Sequence, residues 1–339
     1  MTRMLTILLW LAVSLGASAL VWVQARWQVE AARPLVTGEQ GFCLEVTRGM
    51  SLTALARTLQ REGHLGDARW FLWQARLGGQ AGRLQAGEYR IEPGTTAGAL
   101  LAQLASGRVW LHGLSVPEGI RFSELRRLIE THPAIEQTLF TLSDAELMAR
   151  LGFPGQHPEG RFFPDTYRFA RGTSDAELLR WAHAALEGHL ARAWENRAPE
   201  LPLSTPDEAL ILASIVEKET GRAEERGRVA GVFINRLRKG MRLQTDPTVI
   251  YGLGAGFDGD LRRRDLERDT PYNTYTRHGL PPTPIALPGR AAIEAATRPA
   301  VTDALYFVAD GRGGHVFSPT LDAHNKAVRD YLKTLRTTP

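Results

Sequence analysis

The chain has 339 residues, 43% of them hydrophobic and 23% charged, with a formal net charge of +4. That balance supports cores in two or three folded units and excludes a mainly disordered chain. The small basic excess, dispersed without a long Lys/Arg block, argues against nucleic acid as a partner, and a single cysteine, Cys43, excludes an internal disulfide and a cysteine-built metal site.

Met4 to Val23 is an uncharged run of twenty residues, long enough as a helix to cross roughly 30 Å of hydrocarbon. Residues 4–24 are therefore expected to form a transmembrane helix behind a cytoplasmic tip, 1–3. The alternative is a cleaved signal peptide with Ala17-Ser18-Ala19 as its small-residue site. The run continues through Leu20, Val21, Trp22 and Val23, which favours a retained anchor. Residues 25–40, with Pro34 and Gly38, read as a polar link.

Residues 41–110 read as a compact unit. FCLEVTRG is a strand candidate, and Ser51 is placed to cap a helix whose stripe is Leu52, Leu55, Ala56 and Leu59. A second helix is expected over Ala68–Leu77, a strand in GEYRIEPG, and a third helix from Thr96 to Leu104. This helix–strand order resembles the small LysM modules that bind glycan, with one helix inserted or enlarged. A small α/β packing module is the plainer reading.

Beyond residue 110, a strand is expected in VWLHGLSVPEG, with helices over Ser123–Ile129, Glu136–Phe140, Asp144–Leu151 and Ser174–Glu195. GFPGQHPEGRFFPDTYRFARG carries too many Gly, Pro and aromatic residues for a helix and reads as an ordered loop or short strand lining a groove. Thr205, Pro206 and Glu208 form a capping-box pattern at the start of the next helix. That helix ends in Glu217-Lys218-Glu219-Thr220. On a 3.6-residue period Glu219 continues the apolar stripe of Leu212, Ile215 and Val216, whereas Glu217 falls on the more polar side. Partial desolvation would raise the pKa of Glu219, as a general acid requires, although a helix-terminal glutamate is more often a surface residue.

Val229–Leu237 reads as a helix, and RLQTDPTVIYG supplies Gln244, Thr245, Asp246 and Tyr251, with Pro247 restricting the turn. In DTPYNTYTRHGLPPTPIALPG, Tyr272, Asn273 and Tyr275 combine aromatic faces with an amide, a mixture suited to a sugar. A rigid loop whose tyrosines cap the core is the alternative. ALYFVAD and HVFS read as strands around Gly311–Gly314, and Leu321–Leu335 as a closing helix. His315 and His324 are candidates to face the site; they are poor metal ligands, since no HExxH or Cys/His cluster accompanies them, and core or loop histidines are the plainer reading.

ILASIVEKETG, ERGRVAGVFINRLRKGMRLQTDPTVIYG, PYNTYTRHGLPPTPIALPG and ALYFVADGRGGHVFSPTLDAHNKAV together resemble the YceG-like (MltG) family of endolytic murein transglycosylases. EGRFFPDTY and AGEYRIEPGT match earlier parts of the same pattern. The resemblance implies an α+β fold: an N-terminal transmembrane helix, a LysM-like α/β subdomain at 41–110, and a mixed helical and β catalytic domain at 111–339. It implies a bacterial inner-membrane protein with a single pass at residues 4–24 in contact with membrane lipid, and its catalytic part in the periplasm. The implied activity is internal cleavage of the MurNAc–GlcNAc bond of nascent peptidoglycan, leaving 1,6-anhydro-MurNAc ends and terminating glycan elongation. The implied partners are peptidoglycan strands and inner-membrane synthases, and no cofactor or metal is required. The family's catalytic glutamate carries to Glu219, with Glu217 as runner-up. Gln244, Asp246, Tyr272, Asn273 and Tyr275 are the expected substrate-binding or positioning residues. A membrane-tethered glycan-binding or cell-wall scaffold without catalysis is the competing reading.

Overall fold

A computed structural model describes the backbone of residues 2–35 and 40–337; the side chains of 2–6, 8, 9, 12, 336 and 337 are not among those described. Gly38 of the expected link lies outside the described residues. The chain divides into two compact units, residues 1–112 with 168–172, and residues 113–167 with 173–339.

The first unit opens with helix α1, Thr2–Ala32, which extends well into the expected link. Strand β1 (Phe42–Val46) is followed by α2 (Leu52–Arg61), α3 (Ala68–Leu77), β2 (Gly87–Ile91) and α4 (Ala97–Ser106). β1 and β2 pair antiparallel with Leu44 opposite Tyr89. Alternation along both strands turns Leu44, Val46, Tyr89 and Ile91 onto one buried face, where they meet Leu55, Leu59, Phe71, Leu100 and Leu104 from the three helices. Each helix begins where a side chain accepts an amide of its first turn: Ser51 from Ala54, Asp67 from Arg69, and Thr96 from Ala99. The Tyr89 hydroxyl, carried into this core, donates to the Gln85 carbonyl at 2.8 Å.

The transmembrane expectation is corrected. Among the described residues no helix is long and apolar enough to cross a membrane. The single-pass inner-membrane placement, the periplasmic catalytic part and the contact with membrane lipid through residues 4–24 rest on that span and fall with it.

The second unit starts within β3 (Leu111–Ser115), continues through α5 (Phe122–Glu130), β4 (Ile135–Glu136), α6 (Asp144–Leu151) and β5 (Thr166–Ala170), and resumes after residue 172 with β6 (Thr173–Ser174) and the long α7 (Asp175–Glu195). The helix expected at Glu136–Phe140 does not form. The carboxylate of Asp175 instead accepts the amides of Thr138 and Leu139 at 2.9 and 2.7 Å, which ties that segment down as a turn.

Helices α8 (Pro206–Glu219), α9 (Ala223–Arg238), α10 (Asp246–Leu253), α11 (Arg263–Glu267) and α12 (Arg290–Thr297) follow. The antiparallel hairpin β7 (Tyr306–Ala309) and β8 (His315–Ser318), then α13 (Leu321–Thr337), complete the chain. The N-terminus of α10 lies where Pro247 suggests only a turn; proline is tolerated there because a first-turn amide has no helical acceptor.

α8 is the axis of this unit. Every residue from Ala209 to Val216 is buried, enclosed by α7, α9, α10 and α12. A helix apolar on all sides must lie inside, since one exposed face would leave leucines and isoleucines in water. Thr205 caps it by accepting the Glu208 amide, but the Glu208 carboxylate reaches the Ser204 amide and leaves the capping box half-formed. α8 ends at Glu219, with Thr220 extended, one residue before Gly221.

Candidate active site

The end of α8 delivers two acids to different surroundings. Glu217 has a side chain only 6% exposed, although helix phase assigns it to a polar side. The discrepancy arises because α8 is buried on every side from Ala209 to Val216, the turns that lead to Glu217. Glu217 Oε2 accepts the amide of Gly289, the residue that begins α12, at 2.9 Å, and Oε1 lies 3.5 Å from Arg226. It satisfies the N-cap amide, the part that a glutamate at the third helical position plays in a capping box. Burial raises its pKa, partly offset by the Gly289 bond. Lys218, exposed between the two acids, donates to the Gly119 carbonyl at 3.1 Å.

Glu219 faces a cleft of about 420 Å³. The residue is partly exposed, yet protein packs around its carboxyl group, and this burial pushes the pKa up to about 7. The Thr245 hydroxyl donates to Oε1 and works against the rise, the negative charge of Asp246 adds to it, and His315 and Arg236 oppose it. Thr245 itself is 2% exposed and fixed by the Thr274 hydroxyl, which accepts its amide at 3.1 Å.

The rest of the cleft is assembled from distant segments. Gln244 has a left-handed backbone, φ 49°, in which its amide donates to the Thr274 carbonyl. Such a conformation in a non-glycine residue costs about 1–3 kcal/mol and is held by its surroundings. Asp246 accepts the Tyr275 hydroxyl at 2.5 Å. Arg236, from the last turn of α9, is buried and donates to the carbonyls of Leu305 at 2.7 Å and Leu243 at 2.9 Å, and to Gln244 Oε1 at 3.3 Å. Its guanidinium lies 5.0 Å from the centre of the Tyr306 ring. His324 of α13 stacks on Tyr306 at 5.2 Å, and Asn325 follows it along the wall.

Four of the seven expected residues thus line one cleft: Glu219, Gln244, Asp246 and Tyr275. The other three lie elsewhere. Glu217 serves α12. Tyr272 packs against the core, its hydroxyl 2.8 Å from that of Thr283. Asn273 is fully buried, donates to the carbonyls of Leu266 and Arg268 at 2.9 and 2.7 Å, and accepts the Tyr275 amide at 2.8 Å. Tyr306 and Asn325 carry no signal in the sequence beyond membership of the ALYFVAD and AHNKAV segments, because only the fold brings β7 and α13 to α8. His315 is held by Glu225, which accepts from its backbone amide at 3.0 Å and lies 2.7 Å from Nδ1.

Two other features of this unit lack that combination. Glu159 is also held at about 7 by burial, but its carboxylate accepts the Phe122 amide at the start of α5 and lines neither cleft described here. A larger cleft of about 570 Å³ between α7 and α12 is lined by Arg192, Arg290 and Arg298 and contains no buried acid. Of the buried acids Glu159, Glu217 and Glu219, Glu219 lines the 420 Å³ cleft.

An enclosed helix that presents one buried acid to a polar cleft is an arrangement that acid–base chemistry on a polar substrate can use. The YceG-like family model matches residues 44–330, and the chain belongs to that family. It is 33% identical over 313 residues to the endolytic murein transglycosylase of Bacillus subtilis, covering 86% of this chain and 85% of that protein. It is 26% identical over 325 residues to the endolytic murein transglycosylase of Streptococcus pneumoniae, covering 85% of this chain and 58% of that longer protein. The crystal structure of a yceG-like protein from Listeria monocytogenes matches with a TM-score of 0.54 at 29% identity, covering 85% of this chain and 99% of that one.

Proposed function

We propose that the chain cleaves peptidoglycan glycan strands internally as a lytic transglycosylase, with Glu219 as its single general acid and base. Membership of the YceG-like family supports the general endolytic murein transglycosylase function. The chemistry and the residue roles are our reading of the cleft.

The observation that carries this reading is a carboxyl group held near pKa 7 by burial at the edge of a 420 Å³ cleft. Protonated near neutral pH, Glu219 donates to the glycosidic oxygen between MurNAc and GlcNAc as that bond breaks. Positive charge develops at C1 of the MurNAc unit, and the carboxylate of Asp246 stabilises it electrostatically. The C6 hydroxyl of the same sugar attacks C1 and gives its proton to the Glu219 carboxylate. The products are a 1,6-anhydro-MurNAc end and a new GlcNAc hydroxyl, and the acid returns to its starting state. Because the nucleophile belongs to the substrate, the entropic cost of positioning water does not arise, and one acid serves both proton transfers. Gln244 and Tyr275 act as positioning residues, Asn273 holds the loop that carries Tyr275, and Tyr272 stiffens its base. Cleavage within nascent strands would end glycan elongation beside the synthases that make them, with the LysM-like reading of residues 41–110 supplying glycan retention.

Digestion of purified peptidoglycan tests this proposal. Anhydro ends are expected from the wild-type chain, and Glu219→Gln should lose at least about 100-fold in rate, the lower range for a general acid. Reducing ends with solvent oxygen would make the enzyme a muramidase, and binding without cleavage would make it a scaffold.

A further inference from the structure

Among the described residues the cleft contains three polar side chains that make no hydrogen bond: Tyr306, which is stacked by His324, His324 itself, and the exposed Asn325. Arg236 is engaged by backbone carbonyls, Asp246 by Tyr275, and Glu219 by Thr245. Among the described residues, the side chains of His324 and Asn325 make no hydrogen bond, and His324 Nδ1 is buried without a partner. The buried Nδ1 decides which nitrogen is left for a ligand, because a donor buried without a partner costs about 1–3 kcal/mol.

Burial, and then the positive charge of Arg236, lower the pKa of His324, so the imidazole is neutral at pH 7. Of its two tautomers, the one with a bare Nδ1 and the proton on Nε2 leaves an acceptor rather than a donor unpaired, which is the less costly arrangement. The wall therefore offers a neutral N–H donor beside a carboxamide that both donates and accepts. This pair matches uncharged hydroxyl and acetamido groups; it does not match an anion, for which the neighbouring carboxylate of Asp246 is a poor companion.

We propose that His324 and Asn325 form a sugar subsite of the Glu219 cleft, where they hydrogen-bond the hydroxyl and N-acetyl groups of an N-acetylhexosamine unit beside the bond being cut. The proposal rests on the glycan-cleaving reading of the cleft. Both are positioning residues: they hold the strand so that its glycosidic oxygen meets Glu219, and they take no part in proton transfer.

The test uses the full chain carrying Glu219→Gln, which separates strand binding from cleavage, and titrates it calorimetrically with soluble uncross-linked glycan strands. His324→Phe keeps a ring on Tyr306 and removes both nitrogens; Asn325→Ala removes the amide; His324→Gln restores an N–H donor near the Nε2 position. His324→Phe and Asn325→Ala are each expected to weaken binding about 10-fold, the equivalent of one good hydrogen bond, with unchanged melting temperature. His324→Gln should recover most of the loss. With Glu219 present, the same changes should raise KM and leave kcat within about twofold, as for a group that binds ground and transition states alike. Binding within twofold of the parent for both variants, a loss of binding accompanied by a lower melting temperature, or a parent that does not bind strands would each overturn the subsite. If the wild-type chain binds strands but does not cut them, the cleavage reading fails, and the binding comparison still decides the subsite.

Discussion

Glu217 accepts the backbone amide of Gly289 at 2.9 Å, which joins the last turn of α8 to the first turn of α12. That bond separates the two acids of the EKET segment by task. Removing the carboxyl group leaves an unpaired helix-start amide and a half-paired Arg226. Glu217→Ala is expected to cost about 1–3 kcal/mol, read by chemical denaturation, while glycan cleavage per folded molecule stays within a few-fold of wild type. A stable Glu217→Ala protein without activity would reverse the roles assigned to the two acids.

Glu219 links activity and stability to pH with defined signs. Its pKa in the folded chain is about 7 against an ordinary 4.5, so the native state binds the proton more tightly than the unfolded state. Stability therefore falls as pH rises from about 4.5 to 7, by about 3 kcal/mol over the full range. Glu219→Gln resembles the protonated acid and removes that fall. The variant should melt higher than wild type at pH 8, and the difference should vanish below pH 4.5. The wild-type cleavage rate should decline as pH rises through about 7. Calorimetry and a pH–rate profile check the two halves separately.

The Thr245 hydroxyl stabilises the ionised form of Glu219. Thr245→Val keeps the shape and deletes the donor, so the acid should hold its proton to higher pH. The basic limb of the pH–rate profile is expected to move upward, with a stability loss of about 1 kcal/mol. An unchanged limb would mean that some other group governs it.

Asp246 acts on Glu219 in the opposite sense, because its charge disfavours a second negative charge nearby. Asp246→Asn should move the same limb downward. It should also lower kcat more than it raises KM, since the charge is needed most when C1 becomes positive. Opposite movements of the limb in Thr245→Val and Asp246→Asn identify Glu219 as the titrating acid more firmly than either variant alone.

Much of the local structure was legible because it rests on short-range chemistry. The caps Ser51, Thr96, Ser174 and Thr205 occur where a hydroxyl precedes an apolar helical period, and the helices begin there. The surroundings of Glu217 were not legible, because helix phase assumes one buried side and α8 is buried all round. Asn273 shows a second limit: an amide that binds a ligand and an amide that binds carbonyl groups look alike in sequence. Tyr306 and Asn325 reach the cleft of Glu219 only after β7 and α13 fold against the elements that line it. A spacing of about 100 residues holds no trace of that meeting. The left-handed backbone of Gln244 is likewise set by the Thr274 carbonyl, not by a residue type that favours it.

Asn273 provides a test of how the loop serves the cleft. Its amide closes the turn from Leu266 to Arg268, and its oxygen holds the Tyr275 amide, so that the Tyr275 hydroxyl reaches Asp246. Asn273→Ala leaves two carbonyls and one amide, each in a part-buried bond, without their side-chain partner. It is expected to cost about 2–4 kcal/mol, summing the lower range for each unpaired group. Tyr275 would lose its anchor, so activity per folded molecule should fall even at temperatures where the variant remains folded. Asn273→Asp, which keeps the acceptor for Tyr275 but loses the donors, should retain more activity than stability. A variant that lost stability alone, with full activity in the folded fraction, would show that the bond between Tyr275 and Asp246 does not depend on this bracket.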